Sequence, residues 1–227
     1  MALALSYESL LRFQDATQEF QQAITLGRSN ARVLRDFGLF SIYLGHQDFA
    51  LQLTHRALTL DPLNPTAHSY LGDVLLFLRR YPDAIAAYKD AESLGSGEAS
   101  FSAQLGLAYY VAGELQNARA SCERNAKLNY AQFCLAMVFE KLGRHSDALA
   151  MLEKVQQTYP RWGWGYAVLY TQWGDTSRAL SWLETAMQLR DPDLELLRHP
   201  LLDPLRNEPK YRAIERGAEF SGLRGLA

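Results

Sequence analysis

Leu71-Gly72, followed after a short gap by Tyr81-Pro82-Asp83-Ala84-Ile85-Ala86-Ala87-Tyr88-Lys89-Asp90-Ala91, is the stretch that decides the fold. Its central alanine is one of a series: Ala16, Ala50, Ala84 and Ala118 recur every 34 residues, and Ala148 and Ala179 follow after 30 and 31. Self-similarity at that period marks stacked helix-turn-helix units. The neighbours repeat with it. Five residues before the alanine stands Gly45, Gly113, Gly143 or Gly174, with Arg79 in the third copy. Seven residues after it comes a second alanine, at Ala23, Ala57, Ala91 and Ala186. Four residues after it comes a large apolar side chain, at Phe20, Tyr88, Leu152 and Leu183. Twelve residues before it lies a small residue, at Gly38, Gly72, Gly106, Ala136 and Ala167.

Helical geometry explains the pattern, because residues three, four and seven apart share one face. Small residues in the first helix of each unit let the second approach closely, and the mid-repeat glycine supplies the turn between them. Proline punctuates repeat ends at Pro62, Pro65 and Pro160, while Pro82 falls in a first helical turn, where it is tolerated. The expected architecture is all-α: a right-handed α-solenoid of stacked helix-turn-helix repeats. It would have one incomplete repeat, then repeats at 31–64, 65–98, 99–128, 129–159 and 160–193, with a carboxyl-terminal helical cap. The first helix of the incomplete repeat would span about Leu3 to Leu11. Counting back from Ala16 puts that repeat's start before Met1, so the chain has either a trimmed amino-terminal cap or a longer parent.

These residues resemble the tetratricopeptide repeat family, in the Leu71–Ala91 stretch and equally from Tyr43-Leu44-Gly45 to Ala57-Leu58-Thr59-Leu60-Asp61-Pro62. The resemblance covers roughly residues 1 to 193. Departures are the absence of the early aromatic (Leu34, His68 and Ser102 stand there), Asn125 at an inter-repeat alanine position, and two shortened repeats. The shortening predicts irregular stacking after Leu128, and Gly163 and Gly165 weaken the last first helix. The run from Asp191-Pro192 through Leu205-Arg206 resembles the carboxyl end of repeat arrays in bacterial winged-helix regulators and adenylate/guanylate cyclases. Residues 194–220 are expected to cap the open face of the last repeat, with residues 221–227 frayed.

Composition places few further bounds. Of 227 residues, 23 are Lys or Arg and 25 Asp or Glu, so the net charge is −2, and no basic cluster recommends nucleic acid as a partner. No apolar run approaches a membrane span, and the start lacks the basic region of a signal peptide. A cytoplasmic location is expected, with a periplasmic one open if the array belongs to a larger membrane-anchored protein. Cys122 and Cys134 read as two reduced thiols, Cys122 replacing a core aromatic, in preference to a disulfide.

No catalytic or metal template fits. The five histidines, 46, 55, 68, 145 and 199, make no metal spacing. Gly143-Arg144-His145-Ser146-Asp147 reads as a turn with Ser146 as helix cap. Gly95-Ser96-Gly97 and Gly163-Trp164-Gly165 lack the preceding strand of a phosphate loop. Asp191, Asp193 and Glu195 read as helix-start charges. The expectation is a non-enzyme without catalytic residues, metal or cofactor.

In the family the first helices line the concave face. Register then assigns Arg35, Leu39, Ile42 and Tyr43 to that face from the second repeat. It assigns Tyr70, Asp73, Leu76 and Phe77 from the third, and Gln104, Leu107, Tyr110 and Val111 from the fourth. Tyr43, Phe77 and Val111 would form one ladder, and Ile42, Leu76 and Tyr110 another. These side chains either pack repeat on repeat or leave part of the ladder facing solvent, where exposed aromatics mark binding. Some family members clamp a partner's terminal carboxylate with lysine and asparagine. Here Leu39, Asp73, Ser69 and Ala103 stand at those positions, and Arg32 and Arg35 do not rebuild the clamp. The expected partner is therefore another protein, through a peptide or helix with apolar anchors. The alternatives are a regulatory or sensory module of a larger signalling protein, and an enzyme using the repeats as a substrate clamp. Oligomeric state is left open.

Overall fold

The computed structural model describes residues 12–27, 30–95 and 99–217, together with 1–2 and 4–5. Apart from Ala4 and Leu5, which are helical, the expected helix at about 3–11 lies outside the described residues, as does the expected fraying at 221–227.

Helix α1 (Phe13–Leu26) is the second helix of the incomplete repeat. Five hairpins follow. They are α2 (Ala31–Tyr43) with α3 (Gln47–Leu60), α4 (Pro65–Phe77) with α5 (Tyr81–Leu94), α6 (Ala99–Val111) with α7 (Leu115–Glu123), α8 (Asn129–Lys141) with α9 (His145–Thr158), and α10 (Gly163–Gln172) with α11 (Thr176–Leu189). Two 3-10 helices, Pro192–Arg198 and Pro200–Leu205, then lead to α12 (Pro209–Gly217). Among the described residues no helix is long and apolar enough to cross a membrane.

Starts and turns follow local chemistry. Asn30 caps α2 by accepting from the amides of Arg32 and Val33, and Asn64 caps α4 from Ala67, ahead of Pro65 in the first turn. The turn glycines Gly45, Gly113, Gly143 and Gly174 are all left-handed, with φ between 72° and 88°. Arg79 occupies the same left-handed position at φ 59°. Ser146 is not the cap expected of it, and lies exposed inside α9. The capping residue there is Arg144, whose side chain makes no cap bond and pairs with Asp147 at 2.6 Å.

The alanine and glycine series sets helix separation within each hairpin. A Cβ added at Gly38 would lie 2.6 Å from the Thr54 hydroxyl, and one at Gly72 2.6 Å from the Tyr88 ring. At Gly106 it would meet both Cys122 and Cys134 sulfurs. Each glycine therefore faces the residue sixteen positions on, which is the fourth after the repeat alanine. Ala16, Ala50, Ala84, Ala118, Ala148 and Ala179 are all fully buried.

The thiol expectation is corrected by the structure: Cys122 and Cys134 form a disulfide, with Cα atoms 6.3 Å apart. The missing helical turn of the 99–128 repeat is the physical reason. α7 ends at Glu123, so the chain reaches α8 within a few residues and brings Cys122, in its last turn, onto Cys134. Gly106 leaves the room that the two sulfurs fill.

Candidate functional site: the concave face and the segment that crosses it

The first helices α2, α4, α6, α8 and α10 stand side by side. Tyr43 and Phe77 stack as the 34-residue spacing predicts, ring centroids 5.2 Å apart. Arg35 lies over the Tyr70 ring at 4.9 Å and pairs with Asp36 at 2.7 Å. Asp73 accepts from the Tyr88 phenol at 2.6 Å. Burial raises the Asp73 carboxyl to about 7, against the Tyr88 hydrogen bond, which lowers it. Of the residues assigned to this face, Ile42, Tyr43, Leu76, Phe77, Leu107 and Tyr110 are buried. Arg35, Leu39, Tyr70, Asp73, Gln104 and Val111 are half-buried.

Much of that burial has a cause the sequence did not reveal. After Leu189 the chain turns at Arg190, in the left-handed region at φ 50°, and residues 191–206 cross the first helices. Asp191 starts the crossing: one carboxylate oxygen accepts from the Trp164 amide at 3.0 Å, the other from the Asp193 amide at 3.1 Å. It thus serves the first turn of α10 and that of the 3-10 helix together, in keeping with the helix-start role expected of it. Asp193 accepts from the Trp162 indole at 2.5 Å. Leu196 packs into the cluster of Ile42, Tyr43, Val74 and Phe77.

His199 sits at the middle, edge-on to Phe77 at 5.2 Å and to Trp164 at 5.8 Å. Its Nδ1 accepts from the Leu201 amide at 3.1 Å. Burial, helped by the Arg79 charge, lowers its pKa to about 3, so the ring is neutral near neutrality. Leu194, Leu197, Leu201, Leu202 and Leu205 are buried to within 1% of complete. A polar relay joins the segment to the repeats: the Tyr110 phenol donates to Gln172 Oε1 at 3.0 Å, and Gln172 Nε2 donates to the Leu201 carbonyl.

The segment is fastened at two successive inter-helix turns. Arg198 donates to the Leu44 carbonyl and lies against Gly45, where any Cβ would collide with its guanidinium. Arg79, standing where other repeats carry glycine, grips Asp203 with two nitrogens, Nε at 3.1 Å and Nη2 at 2.5 Å. Arg206 joins the same carboxylate at 2.5 Å. Burial alone would raise the Asp203 pKa; the hydrogen bonds and charges of Arg79 and Arg206 override it and hold the carboxyl below its ordinary value. A cleft of about 800 Å³ opens beside this cluster, between the segment and the turns at Gly45 and Arg79. Beyond the crossing, α12 packs on α11, with Lys210 bonded to Glu184 at 2.8 Å and Tyr211 buried.

The residues assigned by register lie on the first helices, and those assignments leave out the residues that hold the crossing segment: Arg79, Trp162, Trp164, Gln172, Arg198, His199 and Asp203. One signal was present, an arginine in a glycine position. Among the described residues, no group of three or more His, Cys, Asp or Glu side chains stands close enough to hold a metal ion.

The fold and site define a class: a helical-hairpin solenoid whose first helices carry an irregular leucine-rich segment across them. Residues 42–99 and again 71–128 match the family model for the tetratricopeptide repeat. The matched residues are tetratricopeptide repeats, and the fold is that of a tetratricopeptide-repeat solenoid. A comparison with curated proteins finds no match. Among solved structures it is similar in fold to TTC0263, a tetratricopeptide-repeat protein of Thermus thermophilus, with TM-score 0.66 and 20% identity over 82% of this chain and 96% of that one. It is similar to PilW, a type IV pilus biogenesis factor, with TM-score 0.62 and 19% identity over 82% and 90%. It is also similar to YrrB, a tetratricopeptide-repeat protein with an unusual peptide-binding site, with TM-score 0.50 and 22% identity over 77% and 93%.

Proposed function

We propose that this chain is a non-catalytic interaction scaffold that binds a segment of another protein on its concave face by burial of apolar anchors. The observation that carries the reading is the crossing by residues 191–206: the face accommodates a non-repeat segment through leucine pockets and a few placed polar bonds, the chemistry of peptide recognition. The array would comprise residues 1–193, and the carboxyl-terminal stretch would be a unit added to it. YrrB, similar in fold, is described as having a peptide-binding site. The binding residues proposed are the half-buried Arg35, Leu39, Tyr70, Asp73, Gln104 and Val111, with Ile42, Tyr43, Leu76, Phe77, Leu107 and Tyr110 forming the floor beneath.

The test is photo-cross-linking in a source-cell lysate, with a photoreactive residue at position 39 or 104 and, as control, at the exposed Glu153 of α9. A partner adduct from positions 39 and 104 alone supports the reading; adducts from 153 alone contradict it. A second reading, a regulatory module of a larger signalling protein, is favoured by the contact of the carboxyl-terminal segment with the first, second and last full repeats, which couples both ends of the array. As to compartment, the Cys122–Cys134 disulfide favours an oxidising one over the cytoplasm. Mass spectrometry of thiol-alkylated protein from its source tests this: no alkylation supports it, and two alkylated cysteines oppose it.

A further inference from the structure

We propose that residues 192–205 are a built-in competitor on the concave face, and that the partner is a proline-punctuated, leucine-rich segment carrying a carboxylate where Asp203 sits. This deepens the reading of that face as the partner site and rests on it. The partner's chemistry is read from the occupant. Its leucines fill the first-helix pockets, and its two 3-10 turns each begin at a proline, Pro192 and Pro200. Its carboxylate meets Arg79 in a bidentate pair, the geometry in which arginine selects carboxylates.

Two features separate this segment from ordinary core. First, it is joined to the array through Arg190, a non-glycine residue in the left-handed region, and a single turn beyond α11. Second, its acid partner is placed by strain. The equivalent turns at Gly45, Gly113, Gly143 and Gly174 use glycine, and among the described inter-helix turns Arg79 alone holds a side chain in that conformation. Strained backbone persists where the surrounding contacts over-determine it, and the contacts of Arg79 are Asp203 and the Arg198 carbonyl, both in the segment, besides the Phe77 carbonyl. The half-exposed Arg79 and Asp203 side chains border the 800 Å³ cleft, which gives an incoming carboxylate a route to the same guanidinium.

The experiment uses the full chain and a fluorescent synthetic peptide of residues 190–207. Asp203→Arg places a cation against Arg79 and Arg206 and frees the segment, leaving Arg79 to receive the peptide's own carboxylate. The expected result is peptide binding at least tenfold tighter to Asp203→Arg than to wild type. A peptide carrying Asp203→Arg should bind neither protein, and circular dichroism should show the repeats still helical. Equal affinity for both proteins overturns the proposal. So does loss of repeat helicity in the variant, which makes the segment part of the core. A dimeric variant with its segment amides still protected overturns it too, making a second copy the occupant. Partner adducts at position 104 that the peptide does not displace leave concave-face binding standing and remove the competitor.

Discussion

Gly106→Ala should change sign with the state of the neighbouring disulfide. In wild type the added methyl would stand 3.2 Å from Cys134 Sγ and from the Ala118 carbonyl, and closer still to Cys122 Sγ. The two sulfurs are bonded to each other and tied to α7 and α8, so neither can swing aside. Overpacking of this kind costs about 1–3 kcal/mol, against a gain of about 1 kcal/mol for replacing glycine inside a helix. A net loss of up to about 2 kcal/mol follows, equivalent to at most roughly 4–8 °C in melting temperature at this chain length. In a Cys122→Ala, Cys134→Ala background the sulfur obstruction is gone and only the 3.2 Å approach to the Ala118 carbonyl remains. That background itself loses about 3 kcal/mol by the loop-closure model, but within it Gly106→Ala should be neutral or stabilising by up to about 1 kcal/mol. The assay is thermal unfolding of all four proteins by circular dichroism. The same sign and size of the Gly106→Ala effect in both backgrounds would refute the account of why a glycine stands there.

Arg79→Gly and Arg79→Ala both remove the grip on Asp203, but only glycine relieves the left-handed backbone. The glycine variant should therefore be the more stable by about 1 kcal/mol, roughly 2–4 °C in a melt, and equal melting would contradict the strain. The His199 pKa is lowered from its ordinary 6.5 to about 3. The unfolded chain then binds a proton that the folded one refuses, so the stability linked to this ring is present above about pH 6.5 and lost as pH falls toward 3. The slope approaches about 1.4 kcal/mol per pH unit. His199→Phe should flatten the acid side of a denaturation profile taken between about pH 7 and 4.5, whereas parallel profiles would count against a neutral buried ring. Gly163→Ala brings a Cβ to 2.7 Å from the Ala186 Cβ and 2.8 Å from its Cα. It should cost about 1–3 kcal/mol in urea unfolding despite its better helix propensity, and a stabilised variant would show that α10 and α11 are not in tight contact.

Periodicity made the hairpins legible because each repeat carries its own alanine, glycine and turn at fixed offsets. That local regularity placed Tyr43 over Phe77 and put Gly38, Gly72 and Gly106 at close helix contacts. The carboxyl-terminal crossing was not legible, because it depends on contacts between residues more than a hundred positions apart, such as Arg79 with Asp203. Leucine and proline in residues 192–205 announce burial and turns without saying against which surface. Of the stretch expected as a cap, α12 lies on α11 and the residues before it lie across the first helices. The disulfide was missed for a related reason: shortening of the 99–128 repeat was visible, but its effect on the Cys122 to Cys134 distance is a matter of three-dimensional stacking. Gly163 and Gly165 read as weaknesses of α10, yet Gly163 faces Ala186 and Gly165 faces the Trp162 ring, so both are packing requirements.

The most direct test of the central claim, that the concave face is a segment-binding surface already holding residues 192–205, is amide hydrogen exchange of the full chain. The account predicts that amides of residues 194–205 are protected together, and that Leu39→Glu and Val111→Glu, on the facing helices, speed their exchange while the exposed control Glu153→Lys does not. Exchange of that segment at the rate of an unstructured peptide in wild type, or indifference to both concave-face substitutions, would contradict it.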